Sequence, residues 1–322
     1  MELKAMVMRL TGLSSGMDID SMVTKMLEVD RLPLNKLNAK KVKNEWLQDA
    51  YRAVNTSLYP LRDMAQQMQY SYNWPSGSGT PKTYSQEEKD AIFNKISEFV
   101  KVYNDSSISV KAKLEEKVER AYGPLTSDEK KAMSDDDIKT WESKAKQGLL
   151  SRDPLLTTAY NELRTSISTS VTSITDPTEP NSLASIGVTT GVYDRSNPST
   201  AGKLYINSDQ LKAAIEADPE AVIQLFTKQG TDFESSGIAQ RFFESTTSTI
   251  SKISAKAGSM GALYNSASTT LGKIEADIEK KIALLNDKIN KKEDKYYLMF
   301  STMEKAIANG NAQMSWLQSQ FG

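Results

Sequence analysis

A heptad stripe near the C-terminus constrains this chain more than any other feature. From Ile278, alternating steps of four and three reach Ile282, Leu285, Ile289, Lys292, Tyr296, Met299, Met303 and Ala306. All but Lys292 are apolar or aromatic, the spacing of a coiled-coil seam rather than of a loose amphipathic face. Leu271 and Ile274 extend it upstream with one phase slip, a stutter of the kind that locally unwinds a supercoil. Charged residues fill the positions between: Glu275, Asp277, Glu279, Lys280, Asp287, Lys288, Lys291 and Glu293. A helix over 271–306 rises roughly 55 Å, too long for one compact core to cover.

A second stripe lies near the N-terminus: Leu47, Tyr51, Val54, Leu58, Leu61, Ala65 and Met68, with Asn44, Lys40 and Leu37 upstream in phase. Neither helix can bury its seam alone. Residues 37–68 are therefore predicted to pair antiparallel with 271–306 in one rod, with two helices of an ordinary bundle as the alternative. A rod offers side-by-side contact surface and no enclosed pocket, which suits an assembly part better than an enzyme.

Composition narrows the classes further. A chain of 322 residues has room for two domains. It is 25% charged with net charge −1, which gives no electrostatic case for nucleic acid. The longest apolar run, Tyr296 to Phe300, falls far short of the ~20 residues that span a bilayer. At the N-terminus only Ala5 to Met8 is apolar, too short for a cleaved secretory signal. There is no Cys and no His, which removes thiol nucleophiles, disulfides, thiolate and imidazole metal sites and the commonest general base. No dinucleotide fingerprint, phosphate loop or nucleophile elbow is present. The chain reads as a non-enzyme without cofactor or metal.

Between the stripes the chain is punctuated clearly. Thr11 to Gly16 is a small-residue loop, and Asp20 or Ser21 is predicted to cap a short helix that Pro33 ends or kinks. Residues 75–81, Pro-Ser-Gly-Ser-Gly-Thr-Pro, read as a flexible linker. Ser85 with Glu88 and Thr126 with Glu129 make capping boxes, and Ser134 with Asp137 starts another helix. Asp135-Asp136-Asp137 lacks calcium-loop spacing and is better explained by the helix dipole. Asp153-Pro154 opens a helix to about Ser173, Ser208 caps the next, and Asp218-Pro219 opens another. Residues 183–207, with Ile186, Val188, Val192 and Tyr193 before Asn197-Pro198-Ser199 and then Leu204-Tyr205-Ile206, read as a β-hairpin. The predicted fold class is mainly α with a small β region: paired terminal helices with a helical bundle and hairpin between them.

With these pieces placed, the chain resembles the bacterial flagellar filament cap family, the FliD-type hook-associated proteins. The resemblance rests on the segments Thr11–Asp18, Arg31-Leu32-Pro33-Leu34, Trp46 with Asp49-Ala50-Tyr51-Arg52, Phe99-Val100 with Tyr103-Asn104, and Pro124-Leu125-Thr126. It continues through Gly148-Leu149-Leu150 with Asp153-Pro154, Leu183–Gly187, Gly202–Leu211 and Asp218–Phe226. Their order and number carry it rather than any one motif. It covers nearly the whole chain except residues 1–8 and about 70–85.

The resemblance implies a cap at the extracellular tip of the flagellum, exported unfolded by the flagellar type III apparatus. Such a cap promotes folding and insertion of exported flagellin and prevents its loss. The implied partners are further copies of the chain, flagellin, the hook–filament junction protein and an export chaperone on the C-terminal region, with no nucleic acid and no membrane span. The competing class is another exported coiled-coil protein: a hook–filament junction subunit, or an injectisome tip or translocator. Family members resemble one another in carrying further domains after the first long helix. At that place this chain has residues 75–81, so it is either naturally short or has had its outer domains deleted and bridged, the second being favoured.

The expected organisation is terminal assembly segments over 1–36 and 307–322, a helical rod and core over 37–74 and 82–306, and the 75–81 linker. Asn309-Gly310-Asn311 is predicted to interrupt the last helix, leaving an apolar tail with little to pack on in one subunit. The assembly candidates are Leu13, Met17, Ile19, Met22 and Leu27 with Met314, Trp316, Leu317 and Phe321, predicted to order only in the oligomer; the alternative is a tail folded back on its own chain. The seam candidates are Leu47, Tyr51, Val54, Leu58, Leu61, Ile278, Ile282, Leu285, Ile289, Tyr296, Met299 and Met303.

Overall fold

The computed structural model describes residues 16–191 and 202–321. Predicted features at Thr11–Ser15, Leu13, Val192, Tyr193 and Asn197–Ser199 lie outside them. The long helices are longer than their stripes suggest: α1 spans Ile19–Met68 and α9 spans Thr270–Phe321. Asp18, not Asp20 or Ser21, caps α1, its carboxylate accepting from the Ser21 N–H (3.0 Å) and hydroxyl (2.7 Å). These two bonds hold the Asp18 carboxyl below its usual range.

Pro33 does not end α1, and Pro60 also lies within it. A proline removes one backbone donor and frees one carbonyl a turn earlier, a local loss that the helix extends past. Gly310 does not interrupt α9 either. An interior glycine costs only about 1 kcal/mol relative to alanine, and elongation of an existing helix adds a bond per residue.

The chain forms two compact units. The smaller contains the described residues through Lys43, residues 124–133 and those from Ala276; the larger contains Asn44–Gly123 and Ser134–Glu275. In the smaller unit the start of α1 runs antiparallel to α9. Asp20 accepts from the Tyr297 hydroxyl (2.7 Å), Asp30 pairs with Lys292, and Lys41 pairs with Glu279 (3.3 Å). Ile19, Val23 and Leu27 pack with Ile289 and Phe300, flanked by Met17, Leu34, Tyr296, Tyr297 and Met303. The same unit holds α3 (Ser127–Lys131), opened by the predicted Thr126–Glu129 capping box.

The larger unit is a helical bundle around the C-terminal half of α1. Tyr51, Val54, Leu58, Leu61, Ala65 and Met68 enter one apolar core with residues of α2 (Gln86–Glu115), α5 (Pro154–Ser168), α6 (Ser208–Ala217), α7 (Pro219–Thr227) and α8 (Ile238–Ala257). Phe99 sits at its centre, edge-on to Phe226 (5.9 Å) and Phe242 (5.2 Å). The Ser85–Glu88 box opens α2, Ser134 opens α4 (Asp135–Ala145), and Asp153 and Asp218 cap α5 and α7 ahead of their N1 prolines. Asn207, one residue before the predicted Ser208, caps α6. Helix α5 ends at Ser168, short of the predicted Ser173, with Thr169 as its C-cap.

The β region is two short antiparallel strands, β1 (Val188–Thr190) and β2 (Leu204–Ile206), with Val188 opposite Ile206 and Thr190 opposite Leu204. Ile186 belongs to a 3-10 turn rather than to β1. Gly187 closes that turn at φ 81°, where a Cβ would meet the Gln210 Cβ at 2.6 Å. That left-handed conformation and close approach account for glycine at this place. Residues 75–81 sit in a closed turn: Ser78 and Thr83 exchange both backbone bonds at 2.8 Å.

Candidate assembly surfaces

The predicted seam on α1 divides. Asn44 of the predicted seam, with Gln48, Arg52 and Asn55 from outside it, makes the contacts expected of the apolar positions. Asn44, Gln48, Arg52 and Asn55 recur about every turn of α1 and are buried. Asn44 Nδ2 donates to the Leu271 carbonyl (3.1 Å) and Gln48 Nε2 to the Tyr264 carbonyl (3.0 Å). Arg52 Nε donates to the Ala257 carbonyl (2.9 Å) and Asn55 Nδ2 to the Ile250 carbonyl (3.3 Å). This ladder holds the end of α8, the α8–α9 connection and the start of α9 against α1. Leu47, Tyr51, Val54, Leu58 and Leu61 instead belong to the bundle core or pack against it. The stretch of α1 that pairs with α9 is thus centred upstream of the predicted 37–68. An antiparallel pair of long helices stands; its register is the correction.

On α9, Ile278 and Ile289 are buried, while Ile282, Leu285, Tyr296 and Met303 are half-buried. Met299 departs from prediction: it is 51% exposed, and Phe300 is buried in its place. The inward set beyond Ile289 passes through Glu293 rather than Lys292, which turns the stripe by one residue. Lys292 stays at the rim, where its bond to Asp30 makes the ammonium hold its proton to higher pH than an ordinary lysine.

The assembly candidates also divide. Ile19 and Leu27 are buried against α9 and Met17 packs beside them, so these three are internal contacts of the smaller unit. Met22 faces outward, with Met26, Val29 and Leu32, which share its helical spacing but were not named as assembly candidates. Those four form an exposed apolar stripe along α1. Met314, Trp316, Leu317 and Phe321 are all exposed on the last turns of α9.

Elsewhere, a groove of about 570 Å³ between α5 and α8 is lined by Thr158, Asn161, Glu162, Glu244 and Ser245 among others. Arg241 on its wall is buried, its guanidinium donating to the carbonyls of Thr169, Ser170 (2.9 Å) and Glu234 (2.7 Å). That arrangement ties the C-terminus of α5 to the loop before α8. Among the described residues no three His, Cys, Asp or Glu side chains gather as a metal site. No described helix is long and apolar enough to cross a membrane.

The family model for the flagellar hook-associated protein 2 C-terminus matches residues 34–312, and the chain belongs to that family. It is 29% identical over 254 residues to flagellar hook-associated protein 2 of Halalkalibacterium halodurans. That match covers 72% of this chain and 45% of the relative, so the chain spans less than half of the relative's length. No solved structure matches the chain.

Proposed function

We propose that this member of the hook-associated protein 2 family is a structural cap at the distal, extracellular end of the bacterial flagellar filament. It would promote folding and insertion of exported flagellin subunits and prevent their loss, without bond chemistry. Membership of the family across residues 34–312 is the observation that carries this reading. The outward stripe Met22, Met26, Val29 and Leu32 supports it, because contiguous exposed apolar surface marks a protein contact. The partners are further copies of the chain, flagellin, the hook–filament junction protein, and an export chaperone on the C-terminal region. Residues 75–81 take the place of outer domains. Support comes from the closed Ser78–Thr83 turn, which joins α1 to α2 without needing a further domain.

The test is complementation. A motile strain lacking its own cap protein, supplied with this chain, should retain flagellin on its filaments and show density at their distal ends in negative stain. Flagellin lost to the medium as in the uncomplemented strain, with the chain exported, would overturn the reading.

A further inference from the structure

Asn309-Gly310 is the one place in the chain where asparagine precedes glycine. That pair carries chemistry of its own. The backbone nitrogen after an asparagine can attack the side-chain carboxamide carbon and close a cyclic imide. A glycine at that nitrogen, lacking Cβ, leaves the approach unobstructed and the backbone free to turn. A Cβ built on Gly310 would meet nothing within 4 Å, so nothing outside the helix backbone crowds the site. Both residues are exposed, as is every residue from Ala308 to Phe321.

The helix restrains this reaction without abolishing it. Asn309 and Gly310 lie within α9. In a helix each Cα–Cβ bond tilts towards the N-terminus, so the Asn309 carboxamide points away from the Gly310 nitrogen. The Gly310 N–H is also committed to the helical ladder. Ring closure therefore waits for α9 to open at Gly310. Phe300 and Met303 pack in the apolar cluster with α1, and Ile307 is the last residue that is not exposed. Opening beyond it uncovers no buried side chain. A helical segment of that length without tertiary support is marginal in water, and an interior glycine weakens it further.

We propose that Asn309 is a site of spontaneous deamidation, gated by opening of the unsupported end of α9. The Gly310 amide gives its proton to solvent base and its nitrogen bonds to Asn309 Cγ. The Cγ–Nδ2 bond breaks, and the side-chain nitrogen takes up a proton and leaves as ammonia. Water then opens the succinimide. Opening at Cγ gives aspartate; opening at the backbone carbonyl gives isoaspartate, whose main chain runs through the former side chain. A water is consumed and an ammonia released, with no oxidant or reductant. Either product places a carboxylate in a stretch with no charged side chain after Lys305. Isoaspartate also lengthens the backbone, which interrupts the regular ladder of α9. The exposed apolar residues Met314, Trp316, Leu317 and Phe321 then lie beyond a permanent break. The proposal does not depend on the filament reading.

Lys305 is the last basic residue, so trypsin releases 306–322 as a single peptide whose mass reports the amide-to-acid exchange. The full chain is incubated at mildly alkaline pH, in buffer and in urea, and digested at intervals; a sample digested at the start fixes the background. Asn309 should convert in both, about tenfold more slowly in the folded chain, because an unsupported helix end opens at small cost. Asn311, which precedes alanine, should keep its amide. Gly310→Ala, which crowds the nitrogen and strengthens the helix, should leave Asn309 unconverted over the same period. Equal rates in buffer and urea would remove the helix as the gate. No conversion in the folded chain while the unfolded chain converts would mean that this end of α9 stays closed. Conversion of Asn311 at the same rate, or of Asn309 unslowed in Gly310→Ala, would remove the role of the glycine. Any of these results overturns the proposal. The isoaspartate fraction should also exchange amide hydrogens faster across 311–321 than unreacted chain, and equal exchange would refute the break in α9.

Discussion

Asn44 on α1 donates a hydrogen bond of 2.6 Å to the carboxylate of Glu275 on α9, and the Glu275 side chain is wholly buried. The same amide nitrogen also reaches the Leu271 carbonyl. One short side chain thereby meets a charged group and a backbone group at the point where α9 comes to lie beside α1. Replacing Asn44 with Leu keeps a side chain branched at Cγ, though a larger one, and removes both donations. A hydrogen bond to a buried charge contributes about 1.5–3 kcal/mol, so Asn44→Leu should lower the urea midpoint by an amount equivalent to about 2 kcal/mol or more of unfolding free energy. An unchanged midpoint would show that the pair does not hold the two helices.

Phe300 and Met299 are adjacent in sequence and opposite in environment, 5% against 51% exposed. Phe300→Ala removes a buried ring and should cost about 3–4 kcal/mol. Met299→Ala should stay within about 0.5 kcal/mol. Hydrogen exchange of Ile19–Leu27 is the local probe, since these residues share the Phe300 cluster. Equal effects of the two substitutions would restore Met299 to the seam.

Arg241 holds three backbone carbonyls from one buried position. Burial lowers its affinity for the proton, against the nearby Glu234 and Asp232 carboxylates. Arg241→Met should destabilise the larger unit by about 3 kcal/mol or more, because several polar groups lose their partner together. Arg241→Lys should recover only part of this, as an ammonium lacks the planar fork. Denaturation midpoints of the two variants decide it, and full recovery by lysine would show that charge alone suffices.

Burial pushes the Tyr103 hydroxyl up to about 12, and it donates to the Gly202 carbonyl at 3.1 Å. In the unfolded chain a tyrosine ionises near about 10. Between these values the folded state keeps a proton that the unfolded state has lost, so stability falls as pH rises through that window. Below about pH 10 both states are protonated and this group contributes no slope. Tyr103→Phe should flatten part of the alkaline loss; Tyr51, Tyr84, Tyr160 and Tyr264, each raised in the same direction first by burial, contribute to the rest. An unaltered slope in the variant would mean Tyr103 titrates alike in both states.

Val29 is 72% exposed on the outward stripe of α1. Val29→Glu should change stability by no more than about 0.5 kcal/mol while lowering the mass measured by light scattering at high concentration. Loss of stability with unchanged mass would remove the stripe from the assembly surface.

Much of the fold was legible because its signals are local. Ser85 with Glu88, Thr126 with Glu129, Asp153-Pro154 and Asp218-Pro219 each start a helix where predicted, since a cap needs only residues within one turn. Pro33 and Gly310 misled for the complementary reason. Each weakens a helix locally, and whether a long helix absorbs that loss depends on what it packs against and how far it already extends. Met22 was legible as a surface candidate; Val29 and Leu32 shared its spacing and were passed over.

By itself, the sequence determined that two long helices with 3.5-residue stripes exist, where the intervening helices start, and that neither thiol nor imidazole chemistry is available. Only the tertiary structure decided which part of α1 faces α9. Both stretches of α1 carry a compatible period, so spacing alone cannot choose between them. The choice shows in Asn44, which reaches the Leu271 carbonyl and the Glu275 carboxylate at the start of α9, while Gln48, Arg52 and Asn55 bind backbone carbonyls of the α8–α9 connection and of α8, about two hundred residues away. A carbonyl has no residue identity to read, and its position exists only once the chain has folded.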